Sequence, residues 1–177
     1  MRDPSSFNPL AFRLRRKLCW FYSETAINRV CRLKGRLARQ FYQRLYPNFT
    51  VGDRASIWGR FHVLMHTPFE SQIHLGDNLH MVSDFRRSGI ALFSPCKFTT
   101  TAKGSITVGD DVQLNGVAIS SRKRIEIGDG TLIAPNCIIV DSDFHAPWPP
   151  ENRRVSSTSG LDEEVSIGNN VWLGLNV

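Results

Sequence analysis

The sequence contains few cysteines, and none of them stands in a Cys-x-x-Cys pair. The four are Cys19, Cys31, Cys96 and Cys137. Zinc knuckles and disulfide frameworks need closely or regularly spaced cysteines, so this spacing indicates neither of them. We therefore expect a protein of a reducing compartment, the cytoplasm, and we expect no bound metal.

Long hydrophobic runs are also missing. No uninterrupted apolar stretch approaches the roughly 18 residues that span a bilayer. No apolar segment follows the first charged residues, as it would in a signal peptide. These absences argue against an integral membrane protein and against secretion through a signal peptide. The content of 41% hydrophobic and 21% charged residues is ordinary for a folded domain, so composition alone indicates no activity.

Acidic residues are scarce in the first fifty positions. Residues 1–50 hold eleven Lys and Arg but only Asp3 and Glu24, a net charge of +9, whereas the whole chain carries +6. The remainder therefore carries −3, and the basic character belongs to the N-terminal segment. No DNA-binding or RNA-binding motif accompanies these charges, so we expect no nucleic-acid partner.

Apolar residues between positions 10 and 46 recur every three or four residues, with arginines and lysines between them. This spacing predicts one long amphipathic helix, or two, with Gly35 as the candidate break and Pro47 as the end. We assign residues 1–47 to this basic helical segment.

The helical segment has more than one candidate role. Aromatic residues at 20–22 beside the basic run at 13–17 suit contact with an anionic membrane, through residues 10–46. The same helix could instead serve oligomerisation or cap the domain that follows. A solvated face is a further alternative. We favour a cytoplasmic protein with peripheral contact at the inner face of the membrane, and we keep the other roles open.

After residue 50 the spacing changes from helical to six. Five units share an aliphatic residue with glycine or another small residue next to it, and in most of them aspartate or asparagine comes after that. The units begin at Val51, Val108, Ile127, Ile133 and Ile167. This pattern fits a short strand and a turn, repeated so that each aliphatic residue points into a narrow core. Residues 48–177 are therefore predicted to form an all-β solenoid.

The six-residue phase is unbroken at positions 51, 57, 63, 69, 75 and 81. Three units of six would make one triangular coil of eighteen residues, which predicts Ile57 beneath Leu75 and Phe69 above Val51. Residues 82–105 lose the phase, and a later shift marks a further inserted loop. Such shifts are expected where turns lengthen on one side of a solenoid.

The run at 133–145 reads Ile-Ala-Pro-Asn-Cys-Ile-Ile-Val-Asp-Ser-Asp-Phe-His, and Ile-Gly-Asn-Asn-Val-Trp follows at 167–172. This combination resembles the hexapeptide-repeat acyltransferases, and within them the sugar and polysaccharide O-acetyltransferase branch that includes the galactoside and maltose enzymes. The resemblance covers residues 51–177 and is weak before residue 108. It implies a left-handed parallel β-helix, although parallel crossover connections are right-handed in nearly all other sheets. It also implies a homotrimer, with acetyl-CoA lying along a groove between two subunits.

Acetyl transfer from a thioester to a hydroxyl needs a base, donors for the developing oxyanion and alignment of the two substrates. The resemblance assigns the base to His145, which lies in a proline-rich loop inserted between two repeat units. A neutral imidazole can accept the proton of the attacking hydroxyl, and a loop on a rigid scaffold is a common place for such a group. The alternative is a surface histidine without a catalytic role.

Five further residues are candidates for substrate or cofactor binding. By resemblance, Asn115 would bind the acceptor, and Trp172 and Gly174 would border the groove for acetyl-CoA. Asp141 and Asp143 lie just before the histidine, and either would bind an acceptor hydroxyl or fix the imidazole tautomer. Structural alternatives also exist, since Asn and Asp are common turn residues and a tryptophan can simply be exposed.

We therefore expect an O-acetyltransferase that uses acetyl-CoA as co-substrate and acts on a sugar or polysaccharide precursor. One alternative is a metal enzyme, because gamma-class carbonic anhydrases use histidines on the same scaffold. His62 and His80, eighteen residues apart, would then stack in adjacent coils. Another alternative is a non-catalytic assembly or membrane-docking module. Since members of the family continue for several more coils, the end at Val177 predicts a C-terminally truncated chain that lacks part of the cofactor groove.

Overall fold

The computed structural model describes residues 9–146, 148–154 and 162–177. Within them, one N-terminal helix precedes a region of short strands. The helix has three consecutive parts, α1 (Pro9–Trp20), a π-helical segment (Phe21–Ile27) and α2 (Asn28–Leu45).

The helix ends just before Pro47, as predicted from the sequence. It runs through Gly35 without a break, so the structure does not have the division into two helices that was one of the two alternatives. No helix in the described ranges is long and apolar enough to cross a membrane.

Fourteen strands follow in the described residues, and every pairing between them is parallel. In chain order they are β1 (Phe49–Val51), β2 (Ser56–Trp58), β3 (His62–Met65), β4 (Gln72–Leu75), β5 (His80–Val82), β6 (Lys97–Thr100), β7 (Ser105–Val108), β8 (Gln113–Asn115), β9 (Ala118–Ser121), β10 (Arg124–Ile127), β11 (Leu132–Ile133), β12 (Ile138–Val140), β13 (Val165–Ile167) and β14 (Trp172–Leu173).

The strands form three parallel sheets. Sheet 1 has the order β1-β4-β7-β10-β13, sheet 2 the order β2-β5-β8-β11-β14, and sheet 3 the order β3-β6-β9-β12. The chain therefore visits the sheets in a fixed rotation, and three consecutive strands make one circuit. This rotation is compatible with a parallel β-helix.

The first circuit is longer than predicted. Val51 pairs with Leu75 and Ile57 with Met81, so the circuit takes 24 residues and not eighteen. The predicted placements of Ile57 beneath Leu75 and of Phe69 above Val51 are therefore wrong. The residues between β3 and β4 form a hydrogen-bonded turn outside the sheets, which leaves Phe69 82% exposed.

Sheet 1 connects to sheet 2 through corners of constant length, which we call the Gly-Asp corners. They are residues 52–55, 76–79, 109–112, 128–131 and 168–171, and each begins with Gly-Asp or Gly-Asn. In each of the first four, the amide of the aspartate donates to the Oδ1 atom of the Asp or Asn in the next corner, at 2.7–2.9 Å. The corners therefore stack on one another through a ladder of hydrogen bonds. A Cβ atom on Gly76 would overlap the Gly109 carbonyl of the next corner, so this close approach requires glycine.

The other two kinds of corner vary in length, so insertions are confined to them. Between sheets 2 and 3, the first inserted segment (residues 83–96) joins β5 to β6. Between sheets 3 and 1, the second inserted segment (residues 141–164) joins β12 to β13. The first explains why the phase is lost from residue 82 onwards, and the second explains the later shift in the sequence.

The core lies between the three sheets and is filled mainly by aliphatic side chains. Phe49, Phe61 and Phe98 add a buried aromatic cluster. Cys96 and Cys137 are buried in the same core. Burial raises the pKa of the Cys96 thiol to about 11, so this residue packs as a small apolar group.

Helix α2 caps the sheets at the β1 and β2 end. It buries Cys31, Gly35 and Ala38 against these strands. A side chain at Gly35 would overlap the Ile57 carbonyl oxygen, so the glycine lets the helix approach closely. Arg39 Nη2 also donates to the carbonyl oxygen of Val51 at 2.9 Å. The capping role, one of those considered for the helix, is therefore present in the structure.

Candidate functional site

The second inserted segment begins at Asp141, whose carboxylate is tied to the preceding circuit. It accepts hydrogen bonds from Ser121 Oγ at 2.6 Å and from the backbone amides of Arg122 at 2.7 Å and Lys123 at 2.9 Å. Asp141 is only 4% exposed. Because both carboxylate oxygens accept hydrogen bonds inside the protein, Asp141 anchors the start of the segment.

An ion pair holds the other end of the same segment. Arg122 Nε lies 3.1 Å from Asp162 Oδ2, and both side chains are nearly buried. The backbone amide of Glu163 donates to the Asp141 carbonyl oxygen at 3.0 Å. The two ends of the segment therefore lie side by side next to Arg122.

His145 lies in this segment, outside the sheets. Its side chain is exposed, and its backbone amide donates to the Asp143 carbonyl oxygen at 2.6 Å. Phe144 has a left-handed φ of 58°, and its amide donates to Ser142 Oγ at 3.0 Å. This tight turn sets the backbone direction at His145.

Replacing Asp141 by alanine is expected to lower the free energy of unfolding by about 2–4 kcal/mol, because buried donors lose a charged acceptor. Asp143→Ala is the matched control, since Asp143 is exposed in the same segment. Its removal should change the free energy of unfolding by less than about 0.5 kcal/mol. Urea unfolding followed by circular dichroism measures both, and equal losses would contradict the anchoring role of Asp141.

Asn115 lies in sheet 2, where it ends β8. Its Oδ1 atom is buried and has no hydrogen-bond partner among the described residues. Its backbone carbonyl accepts from the Asn136 amide at 3.3 Å, and Asn136 Oδ1 in turn accepts from the amide of Phe93 in the first inserted segment at 2.9 Å. A buried oxygen without a partner is costly, so Asn115 Oδ1 is suited to accept a hydrogen bond from a ligand or a water.

Trp172 and Gly174 lie on sheet 2 as well, in and just after its last strand. Trp172 pairs with Leu132, and its side chain is 76% exposed. The Gly174 carbonyl oxygen accepts from Cys137 Sγ at 2.9 Å, and nothing lies within 4 Å of the place where a Cβ would be. An exposed indole ring beside open backbone is suitable surface for a ligand.

The structure separates the predicted site residues into two groups. Asp141, Asp143 and His145 lie at the corner between sheets 3 and 1, whereas Asn115, Trp172 and Gly174 lie on sheet 2. Within one chain, therefore, His145 and the two aspartates lie on a different side of the molecule from Asn115, Trp172 and Gly174.

Sequence reasoning did not find a groove that lies between α2 and the first inserted segment. The groove has a volume of about 540 Å³, and its lining includes Lys34, Arg60 and Asp84 together with exposed Phe93. Arg86 pairs with Asp84 at 2.6 Å, and its hydrogen bond lowers the pKa of the Asp84 carboxyl to about 2. The loss of the six-residue phase was the signal in the sequence for this segment, and it gave no indication of where the segment packs.

The histidines of the metal alternative do not come together. His62 pairs with Lys97 and His80 with Ser56, so their predicted stacking in adjacent coils is wrong, because the first circuit takes more than eighteen residues. Burial, and then the charge of Arg87, lower the pKa of His80. In the described parts of the chain, no three or more His, Cys, Asp or Glu side chains are grouped in a way that could hold a metal ion.

Comparison with known proteins gives no independent identification. No protein-family model, curated protein or solved structure matches the chain. The function is therefore inferred from the residues and their geometry.

Proposed function

We propose that the chain is an acyltransferase domain of the hexapeptide-repeat type, with a left-handed parallel β-helix. It would transfer an acetyl group from acetyl-CoA to a hydroxyl of a sugar or polysaccharide precursor. The observation that carries this proposal is the position of His145. It is exposed on a long segment whose ends are held by Asp141 and by the ion pair of Arg122 with Asp162. Because both ends of the segment are anchored, the exposed loop between them can hold a catalytic group in place.

In the proposed reaction, His145 is the general base. Its neutral imidazole accepts the proton of the acceptor hydroxyl as that oxygen attacks the carbonyl carbon of the thioester. The new carbon–oxygen bond forms, the carbon–sulfur bond breaks, and the imidazolium returns the proton to the departing CoA thiolate. The products are an acetyl ester and CoA, so the proposed step calls for no metal.

The surroundings of the other residues support a role for each of them. The buried Oδ1 atom of Asn115 would accept a hydrogen bond from the acceptor, and exposed Asp143 would bind a second hydroxyl. The exposed ring of Trp172 and the open backbone at Gly174 would contact acetyl-CoA. Asp141 would act as a positioning residue, because its carboxylate is already engaged within the chain.

The separation of the two groups of residues supports a site shared between subunits. We propose a homotrimer in which the corner that carries His145 faces sheet 2 of a neighbouring subunit, as the resemblance implies. Acetyl-CoA would lie between the two chains, and a cytoplasmic location would supply it.

Acetyl transfer to a panel of sugars tests the proposal. The chain is incubated with acetyl-CoA labelled in the acetyl group and with mono- and oligosaccharides that differ in hydroxyl pattern. We expect acceptor-dependent release of the CoA thiol, with one acetyl ester formed for each thiol. The proposal fails if folded protein releases no thiol with any acceptor and calorimetry detects no binding of CoA.

A further inference from the structure

The N-terminal helix presents three chemically different faces, of which the sheets cover one. In α2 the covered face carries Cys31, Gly35 and Ala38. A second face is apolar and exposed, and a third carries arginines. The capping role accounts for the first face alone, so the other two need a separate explanation.

The second face is an exposed apolar stripe. In α2 its members are Val30, Leu33, Leu37, Phe41 and Leu45, each between 44% and 58% exposed. Leu14 and Leu18 continue it in α1, and both are more than half exposed. A contiguous apolar surface of this length is uncommon on a folded monomer and marks an interaction surface.

The π-helical segment brings the two halves of the stripe towards one side. Leu18 and Leu37 are 19 positions apart, which in an uninterrupted α-helix of about 100° per residue would separate them by roughly 100° around the axis. A π-helix bonds residue i to i+5, so each residue turns the chain through a smaller angle. The seven residues of Phe21–Ile27 therefore rotate α2 back towards the side that carries Leu18.

Cations are interspersed among the apolar residues of the helix. In the sequence, residues 9–45 contain ten Lys and Arg, and Glu24 is the one acidic residue among them. On one flank of α2, Arg32, Arg36 and Arg39 line a groove of about 320 Å³. Ala55, Ser56 and Ile57 complete the lining of this groove, so this positive flank of the helix lies beside the sheets.

On the other flank, cations and the apolar stripe meet in one groove. This groove has a volume of about 450 Å³, and Leu37 and Phe41 line it together with Lys34 and Arg60. It brings apolar surface next to two positive charges. A phospholipid combines the matching chemistry, an acyl chain next to a phosphate.

We propose that residues 9–45 lie on the surface of an anionic phospholipid membrane while the covered face of α2 caps the sheets. The apolar stripe inserts among the acyl chains, and the flanking arginines and lysines contact the phosphates of the headgroups. Charge complementarity selects this partner. A second copy of the helix would instead bring ten cations against ten others, and like charges repel.

The membrane proposal does not depend on acetyl transfer, because it uses none of the residues of the candidate site. Vesicle binding and thiol release are separate measurements, so failure of one proposal leaves the other open to its own test. Membrane attachment at the capped end would leave the corner with His145 several strands away from the bilayer, where it could act on a lipid-linked or polymeric acceptor.

Flotation of the full chain with vesicles tests this inference. The vesicles consist of phosphatidylcholine alone or of phosphatidylcholine mixed with phosphatidylserine. We expect the chain to float with the mixed vesicles and not with the neutral ones, and we expect added salt to weaken binding by screening the charges. Equal binding to both kinds of vesicle, or to neither, would overturn the proposal.

A triple substitution in the stripe gives the sharper result. Leu33→Ser, Leu37→Ser and Phe41→Ser together should lower the partition coefficient at least about 100-fold, because three apolar side chains lose their burial. The matched control is Phe69→Ser with Ile138→Ser, since both residues are exposed but lie outside the helix. The control should float as the wild-type chain does. Binding that the triple substitution leaves unchanged would contradict insertion of the stripe.

A charge variant guards against misfolding of the triple mutant. In this variant, glutamine replaces each of the four exposed cations of α1, which are Arg13, Arg15, Arg16 and Lys17. Each cation lost should weaken binding roughly fivefold, so the four replacements together should weaken it roughly 600-fold. Light scattering measures the mass of each variant. If the stripe instead joins two copies, the triple mutant loses mass and the wild-type chain fails to float.

Discussion

Replacing His145 by alanine is expected to lower the rate of the proposed acetyl transfer on the order of 10²- to 10⁴-fold, the range typical for loss of a general base. The side chain is exposed, so the free energy of unfolding should change by less than about 0.5 kcal/mol. The loss should fall on kcat and leave KM for acetyl-CoA nearly unchanged, because the base acts in the transition state. Initial rates with labelled acetyl-CoA measure the effect.

His66→Ala is the matched control for this experiment. His66 is also exposed, and it lies at the same kind of corner between sheets 3 and 1, three circuits away. Its replacement should leave transfer at the wild-type rate. If the His145 variant also transfers acetyl groups at the wild-type rate, His145 is not the base, whatever the chain acetylates.

Gly76→Ala is expected to lower the free energy of unfolding by about 2–4 kcal/mol, because the added methyl group overpacks a closed corner. The new Cβ would overlap the Gly109 carbonyl and lie 2.6 Å from Asp110 Oδ1, so the backbone of the next corner must move. For a domain of this size the loss corresponds to a fall in Tm of roughly 5–15 °C. Differential scanning calorimetry measures it.

Gly168→Ala tests whether the close approach is the cause. Gly168 holds the same position in the last Gly-Asp corner, where the nearest atom to an added Cβ is Val171 Cγ2 at 4.0 Å. Stability should stay unchanged or rise by up to about 1 kcal/mol, because alanine restricts the unfolded chain. A loss as large as that in the Gly76 variant would show that the stacking of corners is not responsible.

The sequence predicted the strands correctly where neighbouring circuits keep the same six-residue spacing of buried aliphatic residues. Val108, Ile127 and Ile133 are buried as their six-residue spacing predicted. Phe69 fits the same spacing but lies in an exposed turn. Spacing along the chain cannot reveal this, because the number of residues in a corner is set by how that corner packs and not by the strands it joins.

Contacts between residues far apart in the chain could not be predicted from the sequence. The helical spacing predicted an amphipathic segment, and Gly35 was a candidate for a break in it. Its actual role, close approach to Ile57, depends on a strand that follows the helix. The stretch from residue 82 to 105 lost its phase for a similar reason, since Asn136, from a later circuit, holds part of it.

The candidate site was predictable in part. The motif that ends in His145 indicated the histidine, and the structure places it on an exposed loop. The ion pair of Arg122 with Asp162 joins residues forty positions apart, so no local pattern could indicate it. Asp141 was considered as a ligand of the acceptor, and only its three hydrogen bonds reveal that it anchors the loop.

The Gly-Asp corners have a further consequence for how this molecule can change. One added residue at such a corner would move its Asp or Asn side chain away from the amide of the preceding corner and its own amide away from the side chain of the next corner, so the hydrogen bonds to both neighbouring corners would be lost. An added residue at either other kind of corner would be absorbed where it occurs. The Gly-Asp corners therefore keep successive circuits aligned along one edge of the molecule. At the other two edges, loops can lengthen or shorten and can acquire new functional residues at little cost to the stability of the fold.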